Sequence, residues 1–475
     1  MILGRFRWVF CQLDTLRRCL ASSICKALDE LPPTLDDTYE RVLQEIPKEK
    51  WQHAHRLFQC LVAAIRPLRV DELAEIFAIR FDADGSPGLM EGWRPENPEE
   101  ALLSSCSTLI AIVEIEGSKI VQFSHFSAKE YLTSDRLKTS SVGNVCNYYI
   151  PLDGAHTILA RACLAVLLRL DKNVDEERIG RFPLALYAAR HWVTHAKFEG
   201  VALRIQDDME CLFNPRSPYL AAWVRIYDVD RLDPQRPLAK YPSLPKGTAL
   251  YYASLCGFSG LADYIIRTHG EDVNAWSGYR RGTPLRAASF KGHIDVVRVL
   301  LDHGADVNTI YKKKTPLSSA YDGRHLEIMR LLLEHGADVD ERDDYGDSVL
   351  NNASRDGQAE IAHLLLQHNA DVNSRGFLNW TPLQGASLIG QTKVVELLLD
   401  HGADVDAQWN GHSSHSLHIA IRQKNFEIVR LLLEHGADVH VRDGRDPSRT
   451  PYQVAESKGL TEIAQLLLEH EAEKE

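Results

Sequence analysis

The pentapeptide His-Gly-Ala-Asp-Val stands at residues 303–307, 335–339, 401–405 and 435–439, and the variant His-Asn-Ala-Asp-Val stands at 368–372. Successive copies begin 32 to 34 residues apart. A fixed period of this length indicates a solenoid, because so short a unit cannot bury its apolar face alone and buries it against its neighbours. The sequence therefore predicts a stack of copies of one supersecondary unit.

Each copy carries signals for two helices. Thr-Pro-Leu recurs at 283–285, 315–317 and 381–383, with a looser version, Thr-Pro-Tyr, at 450–452. Threonine is a good N-cap and proline fits the first turn, so these tripeptides mark the start of a helix. The glycine of each pentapeptide, or Asn369 in the variant, marks the end of a second helix, because both residue types tolerate the left-handed conformation. Each unit is predicted to be a helix, a turn, a helix and an extended finger.

This pattern resembles the ankyrin repeat. Seven units are predicted, with anchor residues Leu250, Leu285, Leu317, Leu350, Leu383, Leu417 and Tyr452. The resemblance covers 247–475 and implies an α-solenoid of seven ankyrin repeats, each a helix-turn-helix with a β-hairpin finger. Units one, four and six depart from the Thr-Pro-Leu signal, so we expect looser helix starts there.

Composition limits the class of protein. The chain of 475 residues has room for about three domains. No apolar run approaches the ~20 residues of a membrane span, and arginines interrupt the apolar start, so no signal peptide is predicted. Nine scattered cysteines without a Cys-x-x-Cys pair predict reduced thiols. We expect an intracellular protein, cytoplasmic or alternatively nuclear.

The acidic charge is concentrated in the array. Residues 247–475 hold 33 acidic and 23 basic residues, a net charge of −10 out of −12 for the whole chain. An acidic array argues against nucleic acid as a partner, since phosphates require a basic surface. Within the array, the first two fingers and the helix between them carry basic residues, whereas the third finger carries acidic ones. The basic residues are Arg280, Arg281, Arg286, Lys291, Lys312, Lys313 and Lys314, and the acidic residues stand at 340, 341, 343, 344 and 347.

The N-terminal half is predicted to be mainly helical. Apolar residues at helical spacing predict helices at 13–28, 35–46, 51–64, 70–78 and 158–170. A Gly- and Pro-rich stretch at 81–98 is predicted as a loop, and 109–124 as two strands around Glu116-Gly117. Helices followed by a hairpin suggest a winged-helix module. The predicted segments are 1–48 (helical), 49–140 (winged-helix-like), 141–227 (helical), 228–246 (Pro-rich linker) and 247–475 (repeat array).

Two strings in this half resemble fungal NACHT proteins of the signal-transducing ATPase class. The segment 4–43 is similar to the one that follows their nucleotide-binding core, and Phe123-Ser-His-Phe-Ser-Ala-Lys-Glu-Tyr-Leu132 is similar to a winged-helix signature. The resemblance implies that His125 matches a nucleotide-sensing histidine. No Gly-x-x-x-x-Gly-Lys-Ser/Thr loop occurs in this sequence, so His125 is expected to be a remnant, and the chain is expected to begin downstream of the ATPase core.

No residue pattern predicts catalysis, and no cofactor or metal is predicted. His412, His415 and His418 have a spacing that permits a metal site, but His418 occupies a structural position of the repeat. The adjacent Asp343 and Asp344 are expected to be solvated on a finger tip. The chain is therefore expected not to be an enzyme.

The fingers are the predicted recognition surface. They carry aromatic residues that the repeat does not require, flanked by basic residues: Trp276, Tyr279, Arg280, Arg281, Tyr311, Lys312, Lys313, Lys314, Tyr345, Phe377, Trp380 and Trp409. Exposed aromatics flanked by charge are typical of a binding surface. The alternative is that each ring packs on the neighbouring finger. The predicted partner is a protein or peptide with an acidic segment that docks near Lys312–Lys314.

The leading interpretation is a non-enzymatic interaction module, the recognition arm of a NACHT-type receptor or scaffold. One alternative is a nucleotide-switched ATPase whose P-loop lies upstream. Another is a stand-alone adaptor, such as a ubiquitin-ligase substrate receptor. Apolar residues at the start of the chain, including Phe6, Trp8 and Phe10, suggest self-association through the N-terminal half as a further interaction.

Overall fold

The structure is a computed structural model that describes residues 34–81, 87–106, 108–230, 247–277, 282–407, 415–442 and 448–474. Contacts divide the chain into two compact units, Met1–Ala249 and Leu250–Glu475. The predicted helix at 13–28 and most of the predicted linker at 228–246 lie outside the described residues.

Helices form most of the first unit. In chain order they are α1 (Leu35–Gln44), α2 (Trp51–Ala63), α3 (Val70–Phe77), α4 (Pro98–Cys106), α5 (Phe126–Leu132), α6 (Asp135–Lys138), α7 (Leu152–Leu167), α8 (Glu176–Gly180), α9 (Ala185–Ala196), α10 (Val201–Arg204), α11 (Gln206–Phe213) and α12 (Tyr219–Ile226). Short 3-10 turns lie at Lys48–Lys50, Glu91–Trp93 and Val145–Tyr148.

In the described part of this unit, five short strands accompany the helices: β1 (Leu68–Arg69), β2 (Ile79–Arg80), β3 (Gly88–Leu89), β4 (Ile110–Ile115) and β5 (Ser118–Phe123). The antiparallel pairing of β4 and β5 confirms the predicted hairpin. β1 pairs with the other edge of β5, giving the sheet order β1-β5-β4. β2 pairs with β3, so the loop prediction for 81–98 was wrong at β3, where the Pro and Gly signals concealed a two-residue strand.

The first three described helices end within two residues of their predicted ends. Helix α7 instead begins at Leu152, earlier than the predicted Ile158, and ends at Leu167. Asp153 and Thr157 interrupt the apolar spacing before Ile158, so periodicity gave no signal there. The start lies directly after Pro151, whose fixed φ suits a helix entry.

A buried polar chain lies beside the aromatic core of this unit. The hydroxyl of Tyr187 accepts a hydrogen bond from the backbone N–H of Ile65 at 3.2 Å and lies 2.9 Å from Nε2 of His195. The Nδ1 atoms of His195 and His156 are 2.9 Å apart. Because Tyr187 and His195 are fully buried, this chain satisfies groups that water cannot reach.

The second unit is a row of helix pairs. In the described residues the pairs are α13 (Ala249–Cys256) with α14 (Ser259–Tyr264), α15 (Pro284–Lys291) with α16 (Ile294–Asp302), α17 (Pro316–Asp322) with α18 (Leu326–Glu334), α19 (Val349–Asp356) with α20 (Ala359–Gln367), α21 (Pro382–Ile389) with α22 (Thr392–Asp400), α23 (Ser416–Arg422) with α24 (Phe426–Glu434), and α25 (Pro451–Ser457) with α26 (Thr461–Lys474). A one-turn π-helix, Ile265–His269, extends α14.

The threonine caps predicted from sequence are confirmed. The side chains of Thr283, Thr315, Thr381 and Thr450 each accept a hydrogen bond from the backbone N–H three residues on. The expectation of a looser start for unit four was wrong, because Ser348 forms a complete capping box with Asn351. His415 makes no such cap at the start of α23, as expected for unit six.

The pentapeptide or its variant closes the second helix of five pairs: α16, α18, α20, α22 and α24. Gly304, Gly336, Gly402 and Gly436 have positive φ, as does Asn369. The next residue, alanine, donates its backbone N–H five residues back, for example from Ala305 to the carbonyl of Leu300 at 2.9 Å. This is the Schellman arrangement, which satisfies the last carbonyls of a helix.

A ladder of side chains joins successive fingers. Asn274, Asn308, Asp340, Asn373 and Asp406 each accept a hydrogen bond from the backbone N–H of the pentapeptide aspartate of the next unit. The amide of Asn308 also donates to the carbonyl of Gly336 at 3.1 Å. Aspartate cannot make this second bond when ionised, because it then has no donor.

No helix in the described part of the chain combines the length and apolar character needed to cross a membrane.

Candidate partner-binding surface

The second finger is a tight hairpin with two lysines at its tip. Tyr311 and Lys314 exchange both backbone hydrogen bonds at 3.0 Å. Lys312 and Lys313 between them have φ of 48° and 54°, as both central residues of a type I′ turn do. Both side chains are exposed, whereas Lys314 pairs with Asp322 at 2.9 Å.

The Tyr311 ring anchors this finger. Trp276 of the first finger meets it edge-on, with ring centroids 5.4 Å apart. The guanidinium of Arg286 and the ammonium of Lys312 lie 5.6 and 5.3 Å from the ring centroid, within cation–π range. Arg286 is only 4% exposed, which corrects its expected place on the basic surface. Its guanidinium is therefore buried beside the Tyr311 ring.

The third finger is less acidic at its surface than its sequence predicts. Asp347 is 5% exposed, and its Oδ2 lies 2.7 Å from a guanidinium nitrogen of Arg355. Its Oδ1 accepts a hydrogen bond from the backbone N–H of Phe377 at 2.6 Å. Asp343 is half-buried and accepts hydrogen bonds from the backbone N–H groups of Tyr345 and Asp347. Of the adjacent Asp343 and Asp344, only Asp344 is fully exposed.

Aromatic side chains of neighbouring fingers pack on one another, as the alternative interpretation predicts, and they also remain exposed. Tyr345 and Phe377, on neighbouring fingers, meet edge-on with centroids 6.0 Å apart. They still expose 72% and 46% of their surfaces, and Trp276 exposes 60%. The rings therefore pack on each other pairwise and also present apolar area to solvent.

A cavity of about 230 Å³ lies under the fourth finger. Its walls come from that finger, from Asp347 of the third finger and from the helices α19 and α21: Asp347, Asn351, Arg355, Phe377, Leu378, Trp380, Thr381, Gly385 and Leu388. Leu378, which lines it, and the next residue, Asn379, have φ of 56° and 62°, and Leu378 is 52% exposed. Left-handed backbone in a leucine is unusual, and strain of this kind is often found at ligand-binding loops.

A wider hollow of about 420 Å³ adjoins this cavity and shares Asp347, Arg355 and Phe377 with it. It holds four aspartates, at 322, 343, 347 and 356, and two cations, Lys314 and Arg355, which is a net charge of −2. Both cations are paired, with Asp322 and Asp347. Asp356 is exposed and accepts a hydrogen bond from the Tyr321 hydroxyl at 2.8 Å. Burial, with Asp356 adding to it, raises the pKa of Tyr321, which keeps this hydroxyl a donor.

The sequence analysis did not predict the helical walls of the cavity and of the adjoining hollow. Arg355, Asn351, Gly385 and Leu388 lie on α19 and α21, whereas the prediction considered the fingers. One signal was available. The residue two places after the anchor residue is Tyr252, Ala287, Ser319, Asn352, Ile419 or Val454 in the other six units, and only the unit that contains α21 has glycine there.

His125 serves as a helix cap. Its Nδ1 accepts a hydrogen bond from the backbone N–H of Ser127 at 3.2 Å at the start of α5. The Ser127 hydroxyl lies 2.6 Å from the same nitrogen and 2.7 Å from the Tyr39 hydroxyl. The ring is half-buried. His125 therefore has a structural role, as the N-cap of α5, that does not require a nucleotide.

The remaining predicted site residues, Tyr279, Arg280, Arg281 and Trp409, lie outside the described residues, as does His412. Among the residues that the structure describes, no group of three or more His, Cys, Asp or Glu side chains is placed to hold a metal ion. His415 and His418 have ring centroids 6.1 Å apart, and His418 is fully buried in α23.

Comparison with protein families identifies the array. The family described as "Ankyrin repeats (3 copies)" matches residues 227–311, 308–376, 374–443 and 417–475, which together cover more than half of the chain. The chain therefore belongs to the ankyrin-repeat family. The family described as "GPI inositol-deacylase, winged helix domain" matches 39–142, so a winged-helix domain precedes the array.

One curated relative is similar to part of this chain. The "Azaphilone pigments biosynthesis cluster protein L" of the fungus Monascus ruber is 35% identical over 297 residues, which cover 59% of this chain and 61% of the relative. The chain thus spans less than two thirds of that protein's length.

Solved structures of ankyrin repeat domains also match. The human ASB11 domain is 27% identical with a TM-score of 0.39, and the match covers 47% of this chain and 98% of that one. A domain from Acinetobacter baumannii AYE is 28% identical with a TM-score of 0.37, over 39% and 97%.

Proposed function

We propose that the protein is a non-enzymatic protein–protein interaction module whose ankyrin array binds an acidic segment of a protein partner at the tip of the second finger. The observation that carries this proposal is the exposed lysine pair, Lys312 and Lys313, at the tip of the finger, with the Lys312 ammonium beside the Tyr311 ring. Among the described residues neither ammonium group has a carboxylate partner, whereas Lys314 is paired with Asp322.

The rigidity of the finger supports this assignment. A hairpin tip that is ordered before binding loses less conformational entropy on association than a flexible loop does. Tyr311 is fixed by Trp276 and Arg286, and the backbone exchange with Lys314 closes the turn. The two charges are therefore presented at a defined position. Exposed charges of this kind mainly increase the association rate and the salt dependence of binding.

We further propose that the seven helix pairs are seven ankyrin repeats and that the chain is the recognition arm of a NACHT-type receptor or scaffold that acts inside the cell. Support comes from the order of a winged-helix domain before an ankyrin array, from the resemblance of 4–43 and 123–132 to that class, and from a fungal relative. In such a receptor the array would sense a protein, and an ATPase core would convert sensing into assembly.

The test uses the full chain and two labelled peptides, one rich in glutamate and one rich in lysine. Fluorescence anisotropy at low and moderate salt should show that the acidic peptide binds more tightly and that added salt weakens this binding. The double variant Lys312→Asn/Lys313→Gly should bind the acidic peptide about tenfold more weakly, a loss of about 1.4 kcal/mol.

A matched control is available within the array. Arg324 and Lys424 are also exposed and also have positive φ, 61° each, but they lie at turns between helices. The double variant Arg324→Asn/Lys424→Asn removes the same charge and should bind the acidic peptide as the wild type does. Equal binding by the two double variants would mean that net charge, not the second finger, governs the interaction.

A further inference from the structure

The cavity under the fourth finger has the properties of an anchor pocket. We propose that it receives one bulky apolar side chain of a partner peptide, and that the carboxylates of the adjoining hollow bind a basic residue next to that side chain. This inference rests on the proposed function, because it specifies what the same array recognises. It adds a second site, chemically opposite to the basic finger tip.

The size of the cavity selects this occupant. Small-molecule sites usually enclose about 300–1,000 Å³. The cavity of about 230 Å³ is smaller, and it suits one large side chain such as leucine, methionine or phenylalanine. Phe377, Leu378, Trp380 and Leu388 line it with apolar surface. A partner side chain there would be covered by the finger above and the helices below.

The open wall is a consequence of Gly385. This glycine lies inside α21, where alanine or a larger residue would favour the helix. A Cβ at 385 would meet only the Cβ of Arg355, at 3.9 Å, which is ordinary contact. The backbone conformation at 385 also suits any L-residue, since its φ is not positive. The contacts of a Cβ at this position do not require glycine, and Gly385 lines the cavity where a larger side chain would enter it.

Charge determines which residue accompanies the apolar one. In the adjoining hollow, Lys314 and Arg355 already pair with Asp322 and Asp347. Asp343 and Asp356 remain without a cationic partner among the described residues, and Asp356 is exposed. A lysine or arginine of the partner would neutralise part of the remaining negative charge, whereas a carboxylate would be repelled.

The experiment is a selection of phage-displayed random dodecapeptides on the full-length wild-type chain, followed by affinity measurements on synthetic copies. Enriched peptides should share a bulky apolar residue beside a lysine or arginine. Gly385→Leu should fill the cavity and weaken their binding by about ten- to a hundredfold, as expected when one buried apolar side chain is lost. Gly385→Ala is the matched control, because it makes the same helical change and leaves most of the cavity open.

Asp356→Asn tests the charged half of the proposal. This variant should weaken the binding of peptides that carry the basic residue. It should leave unchanged the binding of versions in which alanine replaces that basic residue. Peptides that bind Gly385→Leu and wild type equally, yet lose affinity for the Lys312→Asn/Lys313→Gly variant, would overturn the anchor pocket and leave the proposed function standing. A wild-type chain that retains no peptide, acidic or selected, would overturn both.

Self-association is the competing explanation for the cavity. Sedimentation analysis should show the same oligomeric state for wild type and Gly385→Leu. A wild-type dimer that Gly385→Leu converts to a monomer would mean that the occupant is a second copy of the chain, and would overturn the peptide assignment.

Discussion

Asp347 binds the backbone of Phe377 across the boundary between two fingers, with its Oδ1 2.6 Å from the Phe377 nitrogen. The carboxylate lies so close to Gly376 that a Cβ there would stand 1.9 Å from Oδ1. We expect Asp347→Ala to lower the free energy of unfolding by about 1.5–3 kcal/mol, the usual contribution of a hydrogen bond to a charged group. Urea denaturation followed by circular dichroism measures this. Asp344→Ala, at an exposed position of the same finger, should change stability by less than about 0.5 kcal/mol.

The lysine pair should reduce the stability of the array. Lys312 and Lys313 have left-handed backbone, which asparagine and glycine adopt more easily. The Lys312→Asn/Lys313→Gly variant is therefore expected to be more stable than wild type by about 1 kcal/mol. Thermal melting checks the sign. A variant that lost both binding and stability would show that the turn had been damaged, and its binding defect would say nothing about charge.

The aspartates in the finger ladder should make the array less stable at neutral pH. Burial raises the pKa of Asp340, with Asp371 and Asp338 adding to it. Asp340→Asn keeps the acceptor and adds a donor like that of Asn308. We expect a gain of about 0.5–1.5 kcal/mol at pH 7.

This gain should depend on pH. A carboxyl whose folded pKa is raised binds its proton more readily in the fold, so wild type gains stability relative to Asp340→Asn as the pH falls through the folded pKa. The difference between the two proteins should shrink toward pH 4. Denaturation of both at pH 7 and pH 4 tests this. If Asp340→Asn increases the free energy of unfolding equally at both pH values, ionisation of Asp340 does not destabilise the fold.

Acid should destabilise the first unit through His195. Burial lowers the pKa of His195 to about 3, and the neighbouring His156 and His191 add to the shift. Below its ordinary pKa near 6.5 this side chain takes up a proton in the unfolded chain but not in the fold, so stability falls from about pH 6.5 to about pH 3. The slope from one such group is at most about 1.4 kcal/mol per pH unit. His195→Gln should flatten the slope, measured by urea denaturation of the full chain at pH 7.5 and pH 5.

His125 should contribute to stability and not to nucleotide binding. Loss of its N-cap bond in His125→Ala is expected to lower the free energy of unfolding by about 0.5–2 kcal/mol. Isothermal titration of the wild-type chain with ADP, or with ATP and magnesium, should give no binding heat. Micromolar binding that His125→Ala abolishes would favour the nucleotide-switch alternative.

The repeats were predictable because their signals are local. Threonine caps and glycine or asparagine ends act within one turn of their own helix, so Thr315 and Asn369 could be assigned from neighbours in sequence. The capping box of Ser348 was not predicted because the prediction relied on the tripeptide Thr-Pro-Leu alone. Serine followed three residues later by Asn351 makes the same pair of capping hydrogen bonds.

The site was less predictable because its residues meet across units. The sequence predicts Arg286 as a surface cation. In the structure it is buried, and its guanidinium lies beside the ring of Tyr311, which is 25 positions later in the chain. Asp347 looked like a surface acid, and its partners Arg355 and Phe377 belong to the next helix and the next finger. Each of these charges is buried by a contact that no periodicity predicts.

Gly385 also bears on how this array can change by mutation. Every amino acid that one nucleotide change can put in place of a glycine has a larger side chain, and most of these also favour a helix more. Alanine is among these amino acids, and its Cβ would meet only ordinary contact, so pressure for stability alone would favour this replacement in a single step. The array is one substitution away from a form with a more stable α21 and a smaller cavity under the fourth finger.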